Sequence, residues 1–112
     1  MEMLDKNDPV QMKVKNAYDK AIKENAIESV LDERGKQYGK FSGHAEVTQK
    51  LKAVIYAHPS VRNLQPHHLE ALDMIVHKIG RIVNGNPDFR DSWDDIAGYA
   101  TLVSKIIDGK GV

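Results

Sequence analysis

The amino-acid sequence predicts an all-α protein built as a four- to five-helix bundle. Apolar residues recur three or four positions apart in several long stretches, which is the period of a helix with one buried face. Prolines, glycines and an Asn-Gly step fall between those stretches, where helices begin and end. Because this pattern runs almost uninterrupted along the chain, no segment is left for a β-sheet.

The first predicted helix begins after Asp8, whose carboxylate can cap it while Pro9 takes the first helical position. Apolar residues then follow at helical spacing: Val10, Val14, Ala17, Ala21, Ile22, Ile27, Val30 and Leu31. Asn25 offers a new cap in the middle, so the helix either continues or kinks there. We expect it to end by Gly35, because residues 34–43 contain three glycines and no sustained period.

The second and third helices are predicted over residues 44–57 and 66–83. A His-Pro step at residues 58–59 ends the second, because the residue before proline avoids the helical conformation. The third carries the clearest apolar stripe, formed by Leu69, Leu72, Val76, Ile79 and Val83. The Asn-Gly step at residues 84–85 supplies its carboxyl-terminal stop.

The fourth helix is predicted to start at Asp91 or Ser92, either of which can cap it, and to end at Gly109. Its buried stripe comprises Ile96, Tyr99, Ala100, Val103, Ile106 and Ile107. Trp93 opens this helix, so we expect the indole to be at least partly buried against the third helix or a partner chain.

Length and composition favour one helical domain over residues 1–112, with residues 1–8 as a flexible amino terminus. The 16 basic and 16 acidic residues cancel, which makes duplex nucleic acid an improbable partner. The sequence has no cysteine and no long apolar run, so we expect a cytoplasmic protein that neither spans a membrane nor is exported.

Two acidic pairs stand at short spacing on the predicted third and fourth helices. Glu70 and Asp73 share a face of the third helix, and Asp91 and Asp95 share a face of the fourth. If the two helices pack antiparallel, the four carboxylates converge and predict a Mg²⁺ site suited to phosphoryl chemistry. The alternative is that they form only solvated helix pairs and favourable charges at a helix amino terminus.

Basic residues and glycines predict a phosphate-binding site. The loop holding Arg34, Gly35, Lys36, Tyr38 and Gly39 can present backbone N–H groups and positive charge to an anion. Lys78 and Arg81 are expected to meet phosphate charge from the third helix, and Tyr38 or Trp93 to contact a base. An ordinary C-capping glycine and loop explains the same segment. The five histidines show no recurring metal spacing, which favours surface or supporting roles over a zinc site.

Three segments together resemble a family of small, functionally uncharacterised helical proteins encoded by phages and prophages. They are Glu33-Arg34-Gly35-Lys36-Gln37-Tyr38-Gly39, then Glu70-Ala71-Leu72-Asp73-Met74-Ile75 running to Lys78-Ile79-Gly80-Arg81-Ile82, then Asp91-Ser92-Trp93-Asp94-Asp95-Ile96-Ala97-Gly98-Tyr99-Ala100. The resemblance covers about residues 28–107. The layout is also similar to the phage nucleotide-modification-associated domain and, more distantly, to MazG-like all-α nucleoside triphosphate pyrophosphatases.

The MazG-like resemblance implies acidic motifs that bind Mg²⁺ on successive helices. This sequence departs from that pattern on the second helix, where Glu46 stands without the Glu-x-x-Glu partner. Whether the protein is an enzyme is therefore left open, since a fold of this kind can keep a nucleotide pocket without hydrolysis.

Three functions follow as expectations. The first is binding of a nucleotide-like phosphorylated ligand with Mg²⁺-dependent pyrophosphate cleavage. The second is a non-catalytic protein that sequesters a host signalling nucleotide in the host cytoplasm. The third is a protein-interaction module that acts against host defence. A homo-oligomer is expected in each case, because small bundles often complete their sites across a subunit boundary.

Overall fold

The computed structural model describes residues 8–112, and in this part of the chain there are four α-helices, one 3₁₀ helix and no strand. The helices are α1 (Pro9–Tyr38), α2 (Phe41–Ala57), α3 (Pro66–Asn84) and α4 (Arg90–Ile107), and the 3₁₀ helix is Pro59–Asn63. The predicted all-α class and helix number are confirmed. No helix in this described part combines the length and the apolar character that a membrane span requires.

The chain divides into two compact units, Met1–Glu33 and Arg34–Val112. In the first unit the described residues form the larger part of α1, which begins at Pro9 behind Asp8. The Asp8 carboxylate accepts a hydrogen bond of 2.9 Å from the Val10 amide, as expected of a cap. Residues 1–7 of the predicted flexible amino terminus lie outside the described residues, and the single domain over residues 1–112 stays a prediction.

The second unit is a layer of three helices with α3 in the middle. α3 contacts α2 on one side and α4 on the other, while α2 and α4 do not contact each other. The pairs Tyr56 with Asp73 and His44 with His77 show that α2 and α3 run antiparallel. Ala71 and Val76, both on α3, are the buried apolar residues of the described chain. A three-helix layer shields only the middle helix, which explains this short list.

The predicted end of the first helix at Gly35 is wrong, and so is the predicted loop over residues 34–43. α1 continues through Gly35 to Tyr38, because a glycine inside a helix costs only about 1 kcal/mol relative to alanine. Gly39 ends the helix instead. It has a positive φ of 75°, and its N–H donates 2.9 Å to the Gly35 carbonyl, the usual geometry of a C-terminal glycine.

The starts of two other helices also differ from the predictions. α2 begins at Phe41, three residues before the predicted start, because the chain turns within Gly39 and Lys40 alone. α4 begins at Arg90, behind Phe89, so neither Asp91 nor Ser92 is the cap and no side chain caps this helix. Asp91 lies in its first turn, where a carboxylate favours the helix dipole.

Candidate functional site

Two histidines meet between the first turn of α2 and the second half of α3. His44 Nε2 and His77 Nδ1 are 3.2 Å apart, and the two rings stand edge to face with centroids 4.6 Å apart. His44 is buried and its Nδ1 faces the Gly80 backbone without reaching hydrogen-bond geometry. The contact requires at least one proton between the two nitrogens, so a pair of neutral imidazoles suits it best.

The surroundings of the histidine pair disfavour added positive charge. Burial and then the Arg81 guanidinium lower the pKa of His77 to about 4. The same two causes lower the pKa of His44. Lys52 adds to both effects and Lys78 to the effect on His77. Both imidazoles are therefore neutral at pH 7, with cations around them.

Gly80 allows the two helices to approach closely at the histidine pair. A Cβ atom at this position would overlap the Thr48 methyl group and stand 3.0 Å from two atoms of the His44 ring. Thr48 is itself buried, and its hydroxyl donates to the His44 carbonyl at 3.0 Å. The absence of a side chain at Gly80 therefore sets the spacing at which His44 reaches His77.

Arg81 lies one helical turn beyond His77 and stacks on an aromatic ring. Its guanidinium carbon is 4.0 Å from the centroid of the Tyr38 ring, a cation–π contact. Tyr38 in turn packs edge to face against Phe89 at 5.7 Å. The guanidinium is half-buried and pairs with no carboxylate in the described part of Arg34–Val112. Its planar donors are therefore available for an anion.

The end of α3 holds Tyr38 in place. The Asn84 side-chain amide donates to the Tyr38 and Lys40 carbonyls, both at 2.8 Å. Gly39 lies directly against the Asn84 backbone, where a Cβ would overlap the Asn84 carbonyl oxygen. Asn84 thus fixes the turn between α1 and α2, and with it the ring on which Arg81 rests.

Lys78 and Asp95 join α3 to α4. The ammonium of Lys78 lies 2.9 Å from Asp95 Oδ2, and the two side chains are 11% and 48% exposed. A buried ammonium needs a charged or hydrogen-bonding partner, which Asp95 supplies.

Asp73 lies on the side of α3 that faces α2 and accepts a 2.6 Å hydrogen bond from the Tyr56 hydroxyl of α2. This bond is the main cause that raises the pKa of Tyr56.

The structure does not bring the four predicted metal ligands into one group. Asp95 pairs with Lys78 and Asp73 with Tyr56, while Glu70 lines a groove with His67 and the second half of α4. Glu70 and Lys78 are eight residues apart, about 12 Å along the helix. Asp91 lies in the first turn of α4. Among residues 8–112 there is no group of three or more His, Asp or Glu that could hold a metal, and the Mg²⁺ site stays a prediction.

The predicted ligand-binding residues separate into two regions. Tyr38, Lys78 and Arg81 lie with the histidine pair on what we call the polar face. Its other residues are Lys52, Tyr56, Glu70, Asp73 and Asp95. Arg34, Gly35 and Lys36 are exposed on the last turns of α1, and Gly39 lies against Asn84. Trp93 is 54% exposed, its indole N–H donates 2.7 Å to the Pro87 carbonyl, and it shares an α4 flank with Ala100 rather than with Asp95.

Sequence reasoning missed the histidine pair and the role of Asn84. His44 and His77 are 33 positions apart, so no local spacing connects them. Asn84 was recognised only as part of a helix stop. The available indication was Gly80, a glycine in the middle of a strongly amphipathic helix, which often marks a close approach of another backbone or ring.

A comparison with protein-family models matches residues 21–107 to the family described as Domain of unknown function (DUF6378). The chain belongs to this family. No curated protein and no solved structure matches it. The DUF6378 match includes every residue of the polar face, but the family's description assigns no activity. The phage and MazG-like relationships therefore stay predictions.

Proposed function

We propose that this DUF6378 protein binds a nucleotide-like phosphorylated ligand on its polar face, with Arg81 as the phosphate contact. The observation that carries the proposal is the half-buried Arg81 guanidinium, which stacks on Tyr38 and has no carboxylate partner in the described part of its unit. A guanidinium fixed in this way offers a planar set of donors to phosphate oxygens at little entropic cost.

The charges around Arg81 support an anionic ligand. Arg81, Lys78 and Lys52 all lower the pKa of His77, and Lys78 is the one of the three that forms an ion pair in the described structure. Arg81 and Lys52 are therefore two cations without an ion pair in that part of the chain, beside two neutral imidazoles and an Asp73 carboxylate that is bound by the Tyr56 hydroxyl. A phosphate group that reaches this region gains both charge neutralisation and hydrogen-bond donors.

An exposed aromatic ring next to the histidine pair supports a nucleobase. Phe41, in the first turn of α2, is 80% exposed, and its ring centroid lies 6.2 Å from that of His44. Every nucleobase can stack on such a ring, so Phe41 offers affinity without strict base selectivity. It replaces Trp93 as the aromatic residue that we assign to the base.

Isothermal titration calorimetry with ATP and adenosine in EDTA tests the proposal. The parent chain is expected to bind ATP more tightly than adenosine, and Arg81→Ala to lose at least tenfold in ATP affinity. Arg62→Ala is the matched control, because Arg62 is an exposed arginine on the 3₁₀ helix and is not one of the residues of the polar face. Equal affinity for ATP and adenosine, or equal losses in the two variants, would contradict the proposal.

The same samples separate binding from catalysis. With Mg²⁺ in place of EDTA, release of pyrophosphate from ATP would extend the proposal to the predicted pyrophosphatase. ATP recovered intact after tight binding would support the non-catalytic, sequestering function instead. Anion-exchange chromatography of the nucleotide measures both outcomes directly.

A further inference from the structure

The side of the three-helix layer opposite the polar face is apolar. Leu72 and Val83 on α3 lie within about 40° of Ile79 at 100° per residue, and Leu72 lines a groove of about 330 Å³ between α3 and α4. Ala100 and Val103 form the α4 side of that groove. We call this side the apolar face; its large exposed residues are Val54, Leu72, Val83, Trp93 and Ile107.

The apolar face is continuous across the layer. A second groove, lined by Ile55, Val61 and Leu64 among others, shares Leu64 with the first. The two grooves extend from the end of α2 across the start of α3 to α4. A soluble protein rarely leaves an apolar surface of this width open to water.

The layer also lacks a core of its own. Ala71 and Val76 are its buried apolar residues among those described, and no side chain there is fully buried. A stable domain of this length needs a much larger apolar core to offset the conformational entropy lost on folding. Whatever covers the apolar face therefore has to be present whenever the chain is folded.

We infer that a second copy of this chain covers the apolar face, so that two layers form one two-layer helical core. The helices of the layer have 17, 19 and 18 residues, which gives each about 27 Å of length. Three helices spaced about 9 Å apart then present about 700 Å², close to the roughly 800 Å² that each partner contributes to a standard interface.

The net charge of the chain and the symmetry of a dimer also favour a second copy as the partner that covers the apolar face. The chain has a formal net charge of zero, so two copies do not repel each other at long range. An apolar face can meet its own copy about a two-fold axis, because such an interface uses the same patch on both subunits. A second copy is also available wherever the first is made. This inference is independent of the proposed ligand site, which lies on the other face.

Sedimentation equilibrium and tryptophan fluorescence of the full chain test the inference together. The expected mass is twice 12.6 kDa, and urea unfolding midpoints should rise with protein concentration, as they do for a dimer that folds on assembly. Trp93 is the single tryptophan and lies on the apolar face, so its emission should be blue-shifted and protected from acrylamide.

Three lysine variants locate the interface. Val83→Lys should lower the mass or the unfolding midpoint and expose Trp93 to acrylamide. Val14→Lys, at a site equally exposed in the 9–33 segment of α1, and Leu102→Lys, in the groove that also contains Glu70, should leave all three readouts unchanged. Val83 and Val14 are 66% and 65% exposed, so the two substitutions are matched.

A monomeric parent with a concentration-independent midpoint would overturn the inference. So would a dimer in which Trp93 is as accessible to acrylamide as a free indole, because another surface would then form the interface. An effect of Val14→Lys or Leu102→Lys that equals or exceeds that of Val83→Lys would assign the contact to α1 or to the Glu70 groove instead.

Discussion

At the scale of single residues, the ion pair with Asp95 stabilises the buried ammonium of Lys78. Asp95→Asn removes the carboxylate and leaves the buried ammonium with a neutral amide. We expect the free energy of unfolding to fall by about 1–2 kcal/mol, less than for a fully buried pair because water reaches Asp95.

Urea denaturation measures this loss, and Asp94→Asn is its control. Asp94 pairs with Arg90 four residues earlier on the same helix, and both side chains are exposed. Its removal should change the free energy of unfolding by less than about 0.5 kcal/mol. If the two variants were equally stable, the Lys78 pair would not have the structural role assigned here.

The histidine pair predicts a pH dependence of stability. His77 has a pKa of about 4 in the folded chain against 6.5 in the unfolded chain. Between these values the unfolded chain binds more protons, so the stability contribution is complete above pH 6.5 and is lost as the pH falls toward 4. Urea midpoints of the parent should fall over this range, and more steeply than those of His77→Asn.

Asparagine places a polar atom near the position of Nδ1 but does not titrate, which is why His77→Asn isolates the effect. His67→Asn serves as the control, since His67 lies at the start of α3 outside the pair. A His77→Asn variant whose pH profile matched that of the parent and of His67→Asn would contradict the assigned neutrality of the pair.

At the scale of helices, two glycines test how α2 and α3 come together. Gly80→Ala places a methyl group against Thr48 and His44, and overpacking of this kind typically costs 1–3 kcal/mol. Gly98→Ala, on α4, meets no atom within 4 Å and should stabilise the chain by about 0.5–1 kcal/mol through helix propensity. Thermal unfolding compares them, and stabilisation by both would show that Gly80 is not a close-packing site.

Asn84 provides a second test at the ends of helices. In Asn84→Asp a carboxylate replaces the amide that donates to the Tyr38 and Lys40 carbonyls, so two attractive contacts become repulsive. We expect a loss of about 2–3 kcal/mol in the free energy of unfolding and weaker ATP binding, because Tyr38 no longer supports Arg81. Asn63→Asp, at an exposed position, is the control; equal effects would remove Asn84 from this role.

Hydrophobic periodicity predicted α2, α3 and α4 well because each has a partly covered apolar stripe, whereas the predicted apolar stripe of α1 is exposed. It did not predict where α1 ends. Gly35 and Gly39 are equally good stops by composition, and what distinguishes them is the packing of Gly39 against Asn84, 45 positions later in the chain. The 3₁₀ helix Pro59–Asn63 was also not predicted. It directly follows the correctly predicted end of α2.

At the scale of the whole molecule, the sequence predicted a ligand site from residue chemistry but not how the candidate residues are distributed. Tyr38, Lys78 and Arg81 were identified from their chemistry, and the structure places them on the polar face. The four carboxylates were expected to converge because their helices are neighbours. The register of α3 against α4 sets Asp95 beside Lys78, which lies about 12 Å from Glu70 along α3. One sequence cannot supply that register.

The two faces of the layer divide the proposed roles. The polar face carries the Arg81 guanidinium and the histidine pair, and the apolar face carries the surface assigned to a second copy. Because the two surfaces lie on opposite sides of α3, ligand affinity and self-association can be varied separately. Arg81→Ala should leave the mass unchanged, as sedimentation equilibrium can verify.

The proposed ligand site is tested most directly by NMR of the imidazoles during titration with ATP. The chain has five histidines, and we expect the signals of His44 and His77 to shift while those of His58, His67 and His68 do not. A bound phosphate should also raise the pKa values of His44 and His77, because an adjacent anion favours the protonated ring. Absence of any shift at saturating ATP, or shifts confined to the other three histidines, would contradict the proposed ligand site.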